Sequence, residues 1–83
     1  MAILIDSVLI HNLTSSMREE KTAAEHYRKR AVAAEARGDL ATARLYRHIA
    51  GEEDTHFREF SRRQDALRVM LCRIRSRRGN NVK

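Results

Sequence analysis

Two residue types that bind metal ions, a carboxylate and an imidazole, lie three positions apart in the motif Glu53-x-x-His56. On an α-helix, residues three apart lie on adjacent turns of one face, so both side chains can reach a single ion. Ile49, Ala50 and Phe57 surround Glu53 at helical spacing, and a carboxylate in such an apolar stripe is costly unless something pairs with it. The motif predicts a pair of metal ligands; the simpler alternative is an ordinary Glu–His contact on a partly exposed helix.

A second carboxylate, Glu20, is placed to extend this ligand set. Glu20 lies 18 residues before Gly38, and Glu53 and His56 lie 15 and 18 residues after it. If Gly38 marks the turn between two antiparallel helices, the three side chains share one height to within about one helical turn. Two carboxylates and an imidazole suit iron or manganese and also accommodate zinc. Without a cation, two buried carboxylates repel and one has to be protonated.

Three other residues are alternative ligands. Glu19 is the alternative in the first helix if the phase of that helix shifts by one residue. In the second helix the alternative is Glu52, which forms a ladder of four-residue steps with His48 and His56. Because this ladder drifts off the apolar face, we prefer Glu53.

The elements that must position these residues are two long helices and a short turn. Asp6 is a suitable N-cap, and apolar residues at steps of three and four predict a first helix from about residue 6 to about residue 36. Gly38 suits a left-handed C-cap and Asp39 suits the N-cap of the next helix. So short a connection makes the helices antiparallel neighbours. The predicted fold is an all-α helical hairpin.

The end of the second helix is less defined. Apolar residues at positions 67, 70, 71 and 74 keep the helical period, but the polar stretch 61–64 could equally break the helix and leave a short third one. After Arg75 the apolar period is lost. We therefore predict a hairpin domain over residues 1–75 and a basic, disordered tail over residues 76–83.

Length and composition favour an oligomer without disulfides. The chain has 83 residues, no proline and a single cysteine, Cys72, so it forms one domain with a thin core and no internal disulfide. A homodimer or a higher even-numbered homo-oligomer is expected. A two-fold dimer would bring two copies of each ligand together, which is the ligand set of a two-metal site in a four-helix bundle. No apolar stretch is long enough for a membrane span or a signal sequence, so we predict a cytoplasmic protein without a membrane partner.

The positive charge is concentrated at the C-terminal end. Residues 1–57 carry eight Lys/Arg and nine Asp/Glu, a net charge of −1, whereas residues 58–83 carry nine and two, a net charge of +7. This leaves a second interpretation, a metal-free helical interaction module whose basic segment binds nucleic acid or an acidic partner. No aromatic residue follows Phe60 to stack on bases. We therefore favour a solvated basic end, and nucleic acid is not the expected partner.

One combined pattern runs without a gap over about half of the chain. It comprises Glu20, Tyr27, Ala31, Ala34, Gly38, Ala43, Ala50, Glu53-x-x-His56 and Phe60. In this pattern the chain resembles the rubrerythrin branch of the ferritin-like di-iron superfamily. The resemblance implies that Glu20, Glu53 and His56 are iron ligands and that Tyr27, seven residues after Glu20, supports them from a position over the site.

The chain departs from rubrerythrins in two respects. Rubrerythrins place two such helix pairs in one chain and add a rubredoxin-like domain with paired CxxC motifs, and this chain has one pair and no CxxC. It is more similar to half-length ferritin-like proteins such as encapsulated ferritins, which build the four-helix bundle from two chains. The resemblance implies a di-iron centre shared between two chains, ferroxidase activity or reduction of O2 or peroxide, and an encapsulin shell as a compartment. The missing CxxC removes the electron relay of the rubrerythrin peroxidase reaction, and no C-terminal encapsulin-targeting segment is evident.

Overall fold

The computed structural model describes the backbone of residues 5–81 and the side chains of residues 5–77, and its described part consists of two helices without a strand. Helix α1 spans Ser7–Ala36 and helix α2 spans Leu40–Asn81. Contacts between the helices run antiparallel, because Glu35 near the turn pairs with Arg47 whereas the Ile10 carbonyl meets Gln64. The predicted all-α hairpin is thus confirmed. Neither helix contains an apolar stretch long enough to cross a bilayer.

The helix ends follow the predicted capping chemistry. The Asp6 carboxylate accepts a hydrogen bond of 3.0 Å from the Leu9 amide at the start of α1. Gly38 has a φ of 82°, which a side chain disfavours and glycine tolerates. The amides of Gly38 and Asp39 donate to the carbonyls of Glu35 and Ala34 at 2.9 and 3.0 Å. This is the Schellman arrangement, which satisfies the last carbonyls of α1.

Asp39 then starts the second helix. Its Oδ1 accepts from the Thr42 amide at 3.0 Å and its Oδ2 accepts from the Thr42 hydroxyl at 2.6 Å. These hydrogen bonds favour the ionised form, the hydroxyl bond most strongly, and they lower the pKa of Asp39 below its ordinary value of 3.8. Three residues between the helices therefore suffice to reverse the chain.

The two helices meet along a seam with a spacing of three and four residues, which we call the heptad seam. In α1 it consists of Ile10, Leu13, Met17, Glu20, Ala24, Tyr27, Ala31 and Ala34, and in α2 of Ala43, Tyr46, Ala50, Glu53, Phe57, Phe60, Gln64, Leu67, Leu71 and Ile74; all but Ile74 are buried or half-buried. The four alanines at 24, 31, 43 and 50 are at most 1% exposed. Small side chains at these positions let the backbones approach closely, and the core is correspondingly thin.

A buried polar clamp fixes the register at the open end of the hairpin. Gln64, which is 4% exposed, donates through Nε2 to the Ile10 carbonyl at 3.1 Å and to the Thr14 hydroxyl at 2.5 Å. Because a buried amide is costly without partners, a shift of either helix would lose both bonds. This packing also explains why the stretch 61–64 stays helical, so that α2 is continuous and no third helix forms within residues 5–81.

The C-terminal end of α2 differs from the sequence prediction. The sequence predicts a disordered tail from residue 76, but residues 76–81 continue α2 as far as Asn81. The segment contains no proline, and its arginines have a high helix propensity, so α2 continues past the end of its apolar period. The remainder of the predicted tail, residues 82 and 83, lies outside the described residues, as do residues 1–4 of the apolar lead-in.

Candidate metal centre

Constant helical rise and the tight turn bring the three predicted ligands to one height. Glu20 lies in the middle of α1, and Glu53 and His56 lie opposite it on α2. The buried alanines Ala24 and Ala50 follow Glu20 by four residues and precede Glu53 by three. They keep the helices close beside the cluster, so that side chains from both helices can converge on one point.

The ligand atoms of Glu20, Glu53 and His56 lie within 4.8 Å of one another. The Nδ1 atom of His56 is 3.5 Å from Glu20 Oε2 and 4.0 Å from Glu53 Oε2. These separations are too long for good hydrogen bonds. They do fit atoms arranged around one ion, because ligands at about 2.0–2.2 Å from a metal lie about 3–4 Å from each other.

Burial distinguishes this cluster from an ordinary group of surface charges. The side chains of Glu20 and Glu53 are only 20% and 22% exposed. The Oε2 atom of Glu20 is buried and has no hydrogen-bond partner. A buried oxygen without a partner bears a full desolvation cost, and a cation at this point would remove that cost. The donor set and the buried oxygen therefore both fit a metal ion.

His56 leaves one side of the cluster open. Its side chain is 48% exposed, more than twice the exposure of either carboxylate. The nearest cross-helix ion pair, Arg28–Asp54, lies at the surface, and exposed pairs of this kind contribute little stability. The two carboxylates therefore lie on the side of the cluster that packs between the helices, and the side next to the imidazole is accessible to solvent.

The alternative ligands lie elsewhere. His48 and Glu52 pair with each other on the solvent face at 3.0 Å, with side-chain exposures of 74% and 54%. Glu19 is also exposed. In the described part of the chain none of the three joins the cluster, so the seam residues are brought together and their sequence neighbours are not.

Tyr27 lies about 10.5 Å from Glu20 along α1, towards the turn. Its ring stacks on Tyr46 with a centroid distance of 6.0 Å and an interplanar angle of 21°, and the Arg30 guanidinium lies 5.6 Å from its centroid. Sequence reasoning missed this partnership, although Tyr46 precedes Glu53 by the same seven residues that separate Glu20 from Tyr27. The supporting role of Tyr27 at the metal site stays a prediction.

Comparison of the chain with protein-family models, curated proteins and solved structures gave no match.

Proposed function

We propose that two copies of this hairpin form a ferritin-like four-helix bundle that binds two iron ions, with ferroxidase activity or reduction of O2 or peroxide. The observation that carries the proposal is the convergence of Glu20, Glu53 and His56 around a buried carboxylate oxygen without a partner. Manganese or zinc would fit the same oxygen and nitrogen ligands. A cytoplasmic location, free or within an encapsulin shell, belongs to the same proposal.

Two features of the single chain support the proposed dimer. One chain supplies two carboxylates and one imidazole, which is half of the ligand set of a two-metal bundle. The hairpin core is thin, and several large apolar side chains are more than half exposed, among them Val8 at 63%, Val32 at 63% and Leu45 at 56%. A two-fold partner would supply the missing ligands and apolar contacts together.

Each residue of the cluster has a distinct part in this proposal. Glu20 and Glu53 would neutralise the metal charge and are held in place by the seam, so they cost little reorganisation on binding. Neutral His56 would donate one nitrogen and leave the site accessible on its exposed side. A bound iron pair would supply one-electron chemistry towards O2 or peroxide and positions for the oxidant.

The alternative function, a metal-free interaction module, gives no reason for two carboxylates in the seam. Such a hairpin gains nothing from two carboxylates at apolar positions, where they reduce its stability. Gln64 shows that this seam provides partners for a buried polar group when the group is structural. The lack of a partner for Glu20 Oε2 therefore favours the metal-binding function.

The test is the metal content per chain after aerobic loading with Fe(II), measured for the native protein, Glu53→Ala and Glu52→Ala. We expect about one iron per chain in the native protein, loss of most of it in Glu53→Ala and retention in Glu52→Ala, because Glu52 is exposed and pairs with His48. Sedimentation should show an even-numbered oligomer. A native protein that binds no iron, or equal iron in both variants, would rule out this site.

A further inference from the structure

The second half of α2 carries a row of positive charges that the metal site does not use. Six arginines between residues 62 and 77 are exposed: Arg62, Arg63, Arg68, Arg73, Arg75 and Arg77. None of the six pairs with a carboxylate in the described part of the chain. The hairpin nearer the turn differs, because there the cross-helix pairs Arg28–Asp54 and Arg47–Glu35 balance the charge.

Four of these arginines occupy two flanks of the outer face of α2. At about 100° per residue, Arg68 and Arg75 share one flank, and Arg62 and Arg73 share the other. The strip between them contains the exposed residues Val69, Cys72 and Ser76 and one exposed carboxylate, that of Asp65. The opposite side of the helix faces α1, where Leu67 is only 1% exposed. The outer face is thus a narrow strip with a single carboxylate, at its N-terminal end, between two rows of guanidinium groups.

Helix α2 also extends beyond its partner. It has 42 residues and α1 has 30, so the excess of 12 residues corresponds to about 18 Å. An α-helix with its side chains is about 10–12 Å wide, and the major groove of duplex DNA is about 12 Å wide. A helix in that groove faces a phosphate backbone on each side, which matches the two rows of arginines.

We propose that this outer face, residues 62–77 of α2, binds duplex nucleic acid through the phosphates on both sides of a groove. Arginine, the only basic residue type in this segment, forms bidentate hydrogen bonds with phosphate oxygens. Single strands are disfavoured as ligands because no aromatic side chain is present after Phe60 to stack on bases. Binding should be largely independent of base sequence, since arginines spaced for the backbone read no base edges.

Neither the helix dipole nor a membrane surface accounts for the arginines as well as a duplex does. Cations near a helix C-terminus interact favourably with the helix dipole, but that effect is confined to the last turn, and Arg62 and Arg68 lie several turns before Asn81. A helix on an anionic membrane needs an apolar face to insert. Here the most buried apolar residue, Leu67, is directed towards α1, and the strip between the two arginine rows contains only Val69 as a large apolar side chain; Met70 and Ile74, which are 39% and 40% exposed, lie outside that strip.

The experiment measures fluorescence anisotropy of a labelled duplex of about 20 base pairs with the full chain, between about 50 and 200 mM salt. The test variant is R68Q/R73Q/R75Q. The matched control, R18Q/K29Q/R44Q, removes the same charge from exposed positions nearer the turn. Each phosphate contact contributes about 0.9 to the slope of log affinity against log salt. We expect the slope of the test variant to fall by about 2–3 and its affinity at low salt to fall at least about tenfold, with little change in the control.

A further variant, R68K/R73K/R75K, keeps the charge and should retain most of the slope while binding more weakly, because lysine lacks the bidentate fork. Far-UV circular dichroism and iron content of each variant show whether the hairpin and the metal site are intact, so a failure of this proposal is separable from a failure of the proposed function. Absence of duplex binding, or equal losses in the test and control variants, would overturn the proposal. Tighter arginine-dependent binding to anionic vesicles than to the duplex would identify a lipid surface instead and overturn it as well.

Discussion

Replacing Glu20 by glutamine should have opposite effects on stability in the absence and in the presence of metal. In the metal-free chain the ligand oxygens of Glu20 and Glu53 are no more than 4.8 Å apart. Two unit charges at that distance repel by about 3.5 kcal/mol at an effective dielectric constant of about 20. The side chains are about one-fifth exposed, so water and the nearby imidazole reduce this value, and we expect Glu20→Gln to raise the free energy of unfolding by about 1 kcal/mol.

The sign reverses when metal is added. A ligand at about 100 times its dissociation constant stabilises the native state by about 2.7 kcal/mol. Mn(II) provides this test without redox chemistry. Glu20→Gln removes one of two carboxylate ligands, so it should lose most of the Mn(II)-dependent gain. The metal-free variant should melt higher than the native protein by about 4–8 °C, and the Mn(II)-loaded variant should melt lower.

The assay is thermal unfolding followed by circular dichroism at one fixed protein concentration, because the melting temperature of an oligomer depends on concentration. Glu19→Gln is the control, since Glu19 is exposed and surface substitutions usually change stability by less than about 0.5 kcal/mol. If Glu20→Gln destabilises the metal-free protein, the buried carboxylate contributes a structural contact and the repulsion argument is wrong. If both variants gain as much from Mn(II) as the native protein, Glu20 is not a ligand.

Two further predictions concern the seam and the turn. Ala50→Leu should lower the free energy of unfolding in urea by about 1–3 kcal/mol, because Ala50 is 1% exposed and overpacking forces the helices apart. Ala41→Leu on the exposed face is the control and should have little effect. Equal losses in the two variants would show that the alanine contact does not set the helix separation. The folded-state pKa of Asp39 is lowered, so its ionised form contributes stability that is present above about pH 4 and is lost as the pH falls further. The stability difference between the native protein and Asp39→Asn should therefore be largest near neutral pH and should close in acid, and a difference that grows in acid would contradict the assignment.

The sequence was sufficient for the features that depend on local chemistry and constant helix geometry. Asp6, Gly38 and Asp39 act within a few residues of their own positions, so their capping roles could be predicted from residue type alone. The convergence of Glu20 with Glu53 and His56 needed the turn position, a fixed rise per residue and the apolar face on which each residue lies. Both kinds of inference use distances that an α-helix holds nearly constant.

The features that sequence reasoning missed depend on contacts between distant residues. The burial of Gln64, a polar residue of the stretch 61–64, is matched by its hydrogen bond to Thr14, 50 residues earlier. The stack of Tyr27 on Tyr46 likewise requires the rotation of each helix about its own axis, which a count of residues from the turn does not give. Helix α2 extends to Asn81, beyond the predicted boundary at residue 75, because the end of an apolar period marks the end of the packed seam and not of the helix.

The heptad seam itself provides the strongest argument about the cluster, because it contains two kinds of polar residue in otherwise apolar positions. Gln64 is more deeply buried than Glu20, yet its amide nitrogen has two partners on α1. Glu20 faces a second carboxylate, and its buried Oε2 has no hydrogen-bond partner. The same pair of helices satisfies the amide of Gln64 but leaves only the His56 imidazole, at 3.5 Å, beside Glu20 Oε2, so we expect a further partner from outside the chain. A cation bound between Glu20, Glu53 and His56 would fulfil that requirement for both carboxylates at once.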